Sequence, residues 1–506
     1  MSGVVATPLV VAVDCSTTAV KALVADAAGE VLAAGRSPLT TSSPRAGFAE
    51  QDARTWFTAT ITAVRAAVMA LAPHDRTRVG ALALTHQRES FVLLDDDGVP
   101  VRPAILWMDT RAHEQILALG PRTLPDGRSV HETSGKPPDT TPALYKLAWV
   151  AEHEPEAVAR AAQVADVQGY LALRLTGRLA TSVASADTLG MLDLAAGTWS
   201  PSLLALAGLD GVGLPGLVPG GELLGPLLPE VCEAVGLPGP VPMVAGIGDG
   251  QSAGIALGMA EPGVAYLNLG TSMVCGLQVG AYTTSSAYRT LAGPRPGTYV
   301  LETLVNAAAY LADWAARFAG SDVATMEAHA TSVPAGSEGL LVLPYWNAAQ
   351  TPYWDPLARG AVVGWHGRHT PAHLYRAVLE GVAFELRLHL DALEEALGRP
   401  VRELRAVGGG ARSPLWTQIV ADVTGRRVRV CADAEVSAAG AAVQAHQYLG
   451  ASPGDGRYAR DGRDVEPSAD ADAYVAQFAA YRELYPALKA TFARLSVTGT
   501  AAALAR

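Results

Sequence analysis

The 506-residue chain is 49% hydrophobic and 17% charged, with 51 Gly and 33 Pro, a balance that excludes collagen-like and disordered classes and allows a large core. Its 38 Lys and Arg against 49 Asp and Glu give a net charge of −11, and no basic cluster interrupts it, so nucleic-acid binding is not expected. Cys15, Cys232, Cys275 and Cys431 lack metal-binding or disulfide spacing and point to a cytoplasmic setting, while no signal peptide or membrane span is predicted.

Residues 8–38 read as three short strands with a turn at Gly29. At the first bend, VVAVDCSTTAVKALVAD places Asp14 and the hydroxyls of Ser16, Thr17 and Thr18 between two apolar runs. An ordinary hairpin explains the hydroxyls through local hydrogen bonds. A turn aiming N–H groups at an anion explains Asp14 as well. Asp52 is placed to cap a helix in which Trp56, Ile61, Val64 and Val68 recur at helical spacing. VGALALTHQ and SFVLLDDDGVPVRPAILW supply further strands around a polar knot from His86 to Ser90. Arg88 and Glu89 sit in that knot, where charge is costly unless paired with each other, with Asp109 or Arg111, or with a ligand. Residues 142–206 look largely helical. The Pro/Gly-rich stretch GVGLPGLVPGGELLGPLLPEV through GLPGPVPM reads as a linker, dividing lobes at 1–242 and 243–486 from a tail at 487–506.

In the second half, VAYLNLGTSMVCGLQV repeats the opening theme, with Gly270, Thr271 and Ser272 at the bend. Two hydroxyl-rich hairpins facing one cleft fit the logic of an actin-like ATPase. Further on, a strand ending at Val407 runs into Gly408, Gly409 and Gly410 before a helix that begins near Ser413 and Pro414, a turn that lets a phosphate or flat ligand approach the backbone. Neither a dinucleotide fingerprint nor a P-loop is present. In GIGDGQSAG, Asp249 follows an apolar strand and reads either as a helix cap or as a base for a phosphoryl acceptor. The same segment satisfies GxSxG with Ser252 as a hydrolase nucleophile, a reading that leaves both hairpins unexplained.

The segments DCSTTAVKA, THQRES, AILWMDTRA, YKLAWVAEHEP, GIGDGQSAG, NLGTS, PYWNAAQTPYWDP, HLYRAVLEG and GGGARS resemble, in order and spacing, the FGGY family of carbohydrate kinases. The resemblance implies an α/β fold of two ribonuclease-H-like, actin-like ATPase lobes with the active site in the cleft between them. It implies ATP and Mg²⁺ as cofactors: Asp14 holding the metal through water, Ser16, Thr17, Thr18 and Lys21 at the first phosphate motif, and Gly270, Thr271 and Ser272 at the second. Gly409, Gly410, Ala411 and Ser413 match the loop flanking the adenosine. Asp249 matches the catalytic base, and Arg88, Glu89, Trp107, Asp109 and Gln251 match substrate contacts. The QRE at residues 87–89 is similar to glycerol kinases, although Thr141 stands where those have a Tyr; KLAWVAEHEP and PYWNAAQTPYWDP look more like xylulokinases. The implied substrate is a ketopentose such as D-xylulose, with a glycerol or erythritol-type polyol as the alternative. A small molecule is the expected partner, and the pattern leaves a homodimer open.

Overall fold

The computed structural model describes residues 7–209, 211–431, 435–451 and 462–504, with side chains described to residue 495. The first strand, β1 (Leu9–Cys15), is buried along its whole length, as a strand covered on both faces must be. It pairs antiparallel with β2 (Ala19–Ala25), which pairs with β3 (Val31–Pro38). The chain then enters α1 (Ala53–Ala70), capped by Asp52 as expected, with Trp56, Val64 and Val68 buried. It returns in β4 (Val79–His86), parallel to β1. Two later strands complete this six-stranded sheet: β5 (Leu223–Pro226) and β6 (Pro242–Gly248), the latter parallel to β4.

The second lobe repeats the plan. Strands β7 (Val264–Leu269), β8 (Met273–Val279), β9 (Arg289–Ala292) and β10 (Tyr299–Val305) form its antiparallel side. On the other side β11 (Glu403–Val407) runs parallel to β7, β12 (Arg427–Val430) runs parallel to β11, and β13 (Arg463–Val465) closes the edge. Each sheet therefore has an antiparallel meander beside parallel strands, the ribonuclease-H-like arrangement expected from sequence.

Three expectations about organisation are corrected. The Pro/Gly-rich stretch is not a linker: it contributes β5 and the helix Pro229–Val235 to the first lobe. Because β6 hydrogen-bonds to β4 and β5, the passage between sheets lies after Gly248, not at residue 242. Nor is there a separate tail at residue 487, since the last helix, α6 (Ala473–Leu504), runs through it with Phe492 buried. Residues 142–206 are mainly helical, broken by the short strands Gln163–Asp166 and Ala180–Ser182.

Two helices join the lobes. One, α2 (Asp249–Ala256), follows β6 directly; the other, α5 (Val436–Tyr448), follows β12 and a segment outside the described residues. The alanines at 438, 441, 442 and 445 of α5 pack on Val10 and Ala12 of β1 and Ala81 and Ala83 of β4, so a helix from the second half covers the first sheet. Where α5 meets α2, a Cβ on Gly440 would lie 1.8 Å from the Ser252 carbonyl oxygen, so only glycine permits this approach. The Ala-rich composition is thus the price of a close helix crossing. Ser252 is buried there with its hydroxyl donating to the Ser437 carbonyl at 2.7 Å. The GxSxG pattern is a packing seam, and the hydrolase reading falls. Among the described residues no helix is long and apolar enough to cross a membrane.

Candidate active site

Asp14 comes from the buried end of β1, where it pairs in register with Lys21 of β2. It is 7% exposed and its Oδ1 has no hydrogen-bond partner. Burial, reinforced by the negative charge of Asp249 and opposed by Lys21, pushes its carboxyl up to about 7. A buried carboxylate oxygen left unpaired is costly, and a divalent cation would remove that cost; the donor set fits a hard, oxygen-seeking ion such as Mg²⁺. Lys21 reaches across to Glu435 at 2.9 Å, just ahead of α5. The turn after Asp14 is divided in its duties. Ser16 Oγ donates to the Ala19 carbonyl at 2.8 Å, the ordinary hairpin role. Thr17 Oγ1 donates to Gln87 Oε1 at 3.1 Å and accepts from Trp107 Nε1 at 3.0 Å. The Thr18 side is exposed.

The second hairpin exposes Thr271, and its turn carbonyls cap the start of α3 (Ala309–Phe318): Gly270 O and Thr271 O accept from Ala309 and Ala308 N–H, both at 3.0 Å. The glycine turn after β11 lies against it. Gly408 has a φ of +91°, and a Cβ there would meet Asn268 Oδ1 at 2.6 Å, whereas a Cβ on Gly409 meets nothing within 4 Å. Gly409 is thus the open face of this turn, with room for a ligand to approach the backbone. Its predicted neighbours are closed off. Gly410 is covered by the Trp416 ring, Ala411 is in the core, and Ser413 caps the helix α4 (Pro414–Thr424) while donating to Glu327 Oε1 at 2.5 Å. Ser413 and Ala411 act as scaffold.

Asp249 heads α2, where the helix dipole favours its negative charge. Its side chain keeps 38% exposure and lies 3.4 Å from Arg88 Nε. Burial raises its pKa, Arg88 opposes that, and Glu89 adds to it. Arg88 and Glu89 do not pair with each other or with Asp109 and Arg111. Instead they meet charges from the other lobe. Arg88 Nη1 donates to both Glu302 oxygens at 3.0–3.1 Å, Arg289 Nε donates to Glu302 Oε1 at 2.7 Å, and Arg289 Nη1 donates to Glu89 Oε1 at 3.0 Å. Tyr266 adds its hydroxyl to Glu302 at 2.5 Å. Burial works against charge on Glu302, but the two guanidinium groups outweigh it and hold the carboxyl at about 2. Glu89 adopts φ +57° to reach this position.

The remaining substrate candidates differ in what they offer. Trp107 is half-buried at the rim and links its loop to the turn after Asp14 through Thr17. Buried Lys146 donates to the carbonyls of Leu106, Trp107 and Thr141, fixing that rim, and burial lowers its amine to about 8. Asp109 is a correction: its carboxylate accepts from Ala49 N–H at 2.7 Å and from the Arg111 backbone and guanidinium at 2.7–3.0 Å, leaving it a structural brace. Gln251 is likewise buried, donating to the carbonyls of Ala184 and Ala292 at 3.2 and 3.3 Å. Arg289, Glu302, Tyr266 and Lys146 were not predicted. The available signal was a charged residue inside an otherwise apolar strand, as in YVLETLV.

Residues 9–256 match the N-terminal domain, and residues 265–447 the C-terminal domain, of the FGGY family of carbohydrate kinases. The chain belongs to this family. Family membership makes it an ATP-dependent carbohydrate kinase. It is 35% identical to a xylulose kinase of Escherichia coli over 83% of this chain and 85% of that one. A crystal structure of a xyloylose kinase from Brucella ovis, 31% identical, superposes with a TM-score of 0.88 over 96% of this chain and all of that one. A glycerol kinase of Bordetella parapertussis is 30% identical over 94% of this chain and 96% of the other.

Proposed function

We propose that the chain transfers the ATP γ-phosphoryl group to a hydroxyl of a neutral ketopentose, with D-xylulose the leading substrate. The observation that carries this reading is Asp249, which heads α2 with an exposed carboxylate 3.4 Å from Arg88 Nε and close enough to Asp14 to raise its pKa. A base in that position accepts the proton of an attacking hydroxyl, and Arg88 opposes the rise that burial causes in the base's pKa. Mg²⁺, held by Asp14 and water, would neutralise phosphate charge. Gly270, Thr271 and Ser272, the Ser16–Thr18 turn and Gly409 surround the nucleotide with backbone and hydroxyl groups. Trp107 and the Arg88–Glu89 segment orient the sugar.

Similarity to xylulose kinases supports a ketopentose, and so does the pocket. Arg289 reaches to within 3.5 Å of Thr141 Oγ1, filling with a guanidinium the space that a larger side chain at residue 141 would need. Arg88 and Arg289 are balanced by Glu89 and Glu302, which suits an uncharged substrate. The QRE segment favours a second reading, a glycerol or erythritol-type acceptor. The buried free thiols accord with a cytoplasmic enzyme. ADP release from Mg²⁺-ATP across D-xylulose, L-xylulose, D-ribulose, glycerol and erythritol tests the assignment. A preference for ketopentoses is expected; a preference for glycerol would transfer the assignment to the second reading, and turnover undiminished in Asp249→Ala would remove the base.

A further inference from the structure

Behind the crossing of α2 and α5, on the far side from the cleft, lies a cavity of about 520 Å³ that the phosphotransfer reading does not use. Its walls come from both lobes: the Pro219–Glu222 segment before β5, the ends of α2 and α5, Gln278 of β8 and the β9–β10 turn. We propose that this cavity binds a neutral polyhydroxylated molecule whose occupancy favours closure of the cleft.

The chemistry of the lining selects the ligand. Gln444 is 2% exposed and lines the cavity with its Oε1 unpartnered, and Gln278 presents a second buried Oε1 without a partner. Buried groups of this kind call for a partner, whether water or a ligand. A hydroxyl serves a carboxamide in either orientation, because it both donates and accepts. Met259, Ile255 and the proline rim offer apolar surface to the carbon face of a sugar alcohol. Glu222 and Arg295 bring opposite charges to the same lining, which gives a phosphate no net attraction. The volume lies in the range of small-molecule sites.

The route to the cleft is short. α2 has Asp249 at one end and Ile255 at the cavity; α5 begins beside Glu435, the partner of Lys21, and ends with Gln444 and Tyr448 at the cavity. Eight residues of α2 span about 12 Å. With Gly440 packed on Ser252 as the crossing point, a molecule that keeps the lobes apart behind the crossing brings them together in front of it. The effect on turnover rests on the phosphotransfer reading; the binding site does not.

The test follows the methyl resonance of Met259 in the full-length, methionine-methyl-labelled protein during titration with xylitol. A saturable shift is expected in the wild type and not in Gln444→Leu, which keeps side-chain size but loses the carboxamide. Ala260→Trp, at the exposed rim of the cavity, is the second blocking variant should the first not fold. No shift in the wild type, or an equal shift in the wild type and a folded blocking variant, overturns the site. In turnover assays xylitol should lower the KM for the sugar by about fivefold or more, and should not do so in the blocked variant. Binding without this change overturns the coupling. A Met259 shift in a protein that phosphorylates no sugar leaves the site standing and rejects the substrate assignment instead.

Discussion

Asp14→Asn separates stability from chemistry. An ordinary Asp titrates near 3.8, and Asp14 is held at about 7 by burial first and by the negative charge of Asp249 second. At 1.36 kcal/mol per pH unit, that displacement bounds the effect at about 4 kcal/mol, and relaxation around the charge reduces it to roughly 2–4 kcal/mol. The sign follows from proton binding: between these two values the folded protein holds the proton more tightly than the unfolded chain does. The stabilisation is therefore fully present below about 3.8 and is lost as pH rises to about 7. The amide never ionises, so in metal-free protein Asp14→Asn should match the wild type near pH 4 and exceed it at pH 8 by that amount. Parallel urea melts at the two pH values, followed by tryptophan fluorescence, cancel every other titrating group. Added Mg²⁺ should narrow the gap at pH 8 by stabilising only the wild type, and turnover of the variant should be lost. A variant less stable than the wild type at pH 8, or one with the same gain at both pH values, would refute a desolvated carboxylate awaiting a cation.

Asp249→Asn should lower kcat by about 10²–10⁴-fold while ATP still binds, as measured by turnover and by calorimetric nucleotide titration. Glu302→Gln leaves Arg88 and Arg289 facing each other with one partner fewer; a loss of about 3–5 kcal/mol in stability is expected, together with a raised KM for the sugar. Gly440→Ala places a methyl 1.8 Å from the Ser252 carbonyl oxygen, which should cost about 1–3 kcal/mol in a denaturant melt. Ser413→Ala should cost about 1 kcal/mol as a lost helix cap and leave the KM for ATP unchanged; a large rise in that KM would restore Ser413 to the nucleotide site.

What could be read from the sequence was local. The β1–β2 hairpin, the Asp52 cap, the second hairpin and the strand end before Asp249 are each specified within a few residues, by apolar runs that stop at Asp, Gly, Ser or Thr. What escaped was set by distance along the chain. Arg88 meets Glu302 across 214 positions and Glu89 meets Arg289 across 200, and no local pattern names such partners. The lobe boundary was misplaced for a different reason: prolines and glycines mark turns, and β5 and its flanking segments are turn-rich without being a connector. Asp109 shows the opposite failure, since a carboxylate in a binding motif says nothing about whether a neighbouring Arg111 has already claimed both its oxygens.

The two kinds of contact between the lobes explain why the site sits where it does. At the hinge, α5 meets the first sheet through alanines and α2 through Gly440, residues too small to interlock, so rotation there is expected to disturb little packing. At β9 the lobes are joined by charge: Arg289 to Glu89 at 3.0 Å, Lys136 to the Thr290 carbonyl at 2.6 Å, and the Asp187 carboxylate, which Lys136 pairs within the first lobe, to the Ala292 N–H at 2.8 Å. Those partners are buried, and separating them would strand charges away from water at several kcal/mol each. On the proposed phosphotransfer reading, these contacts are expected to make the cleft open about an axis near β9 and the α2–α5 crossing, beside Arg88, Glu89 and Asp249. A sugar bound beside Arg88 and Glu89, as proposed, would meet a pocket whose charges are already paired. On that reading the nucleotide, held at the Gly409 and Thr271 turns, would meet surfaces that close, and their closing would bring the phosphates to a hydroxyl beside Asp249.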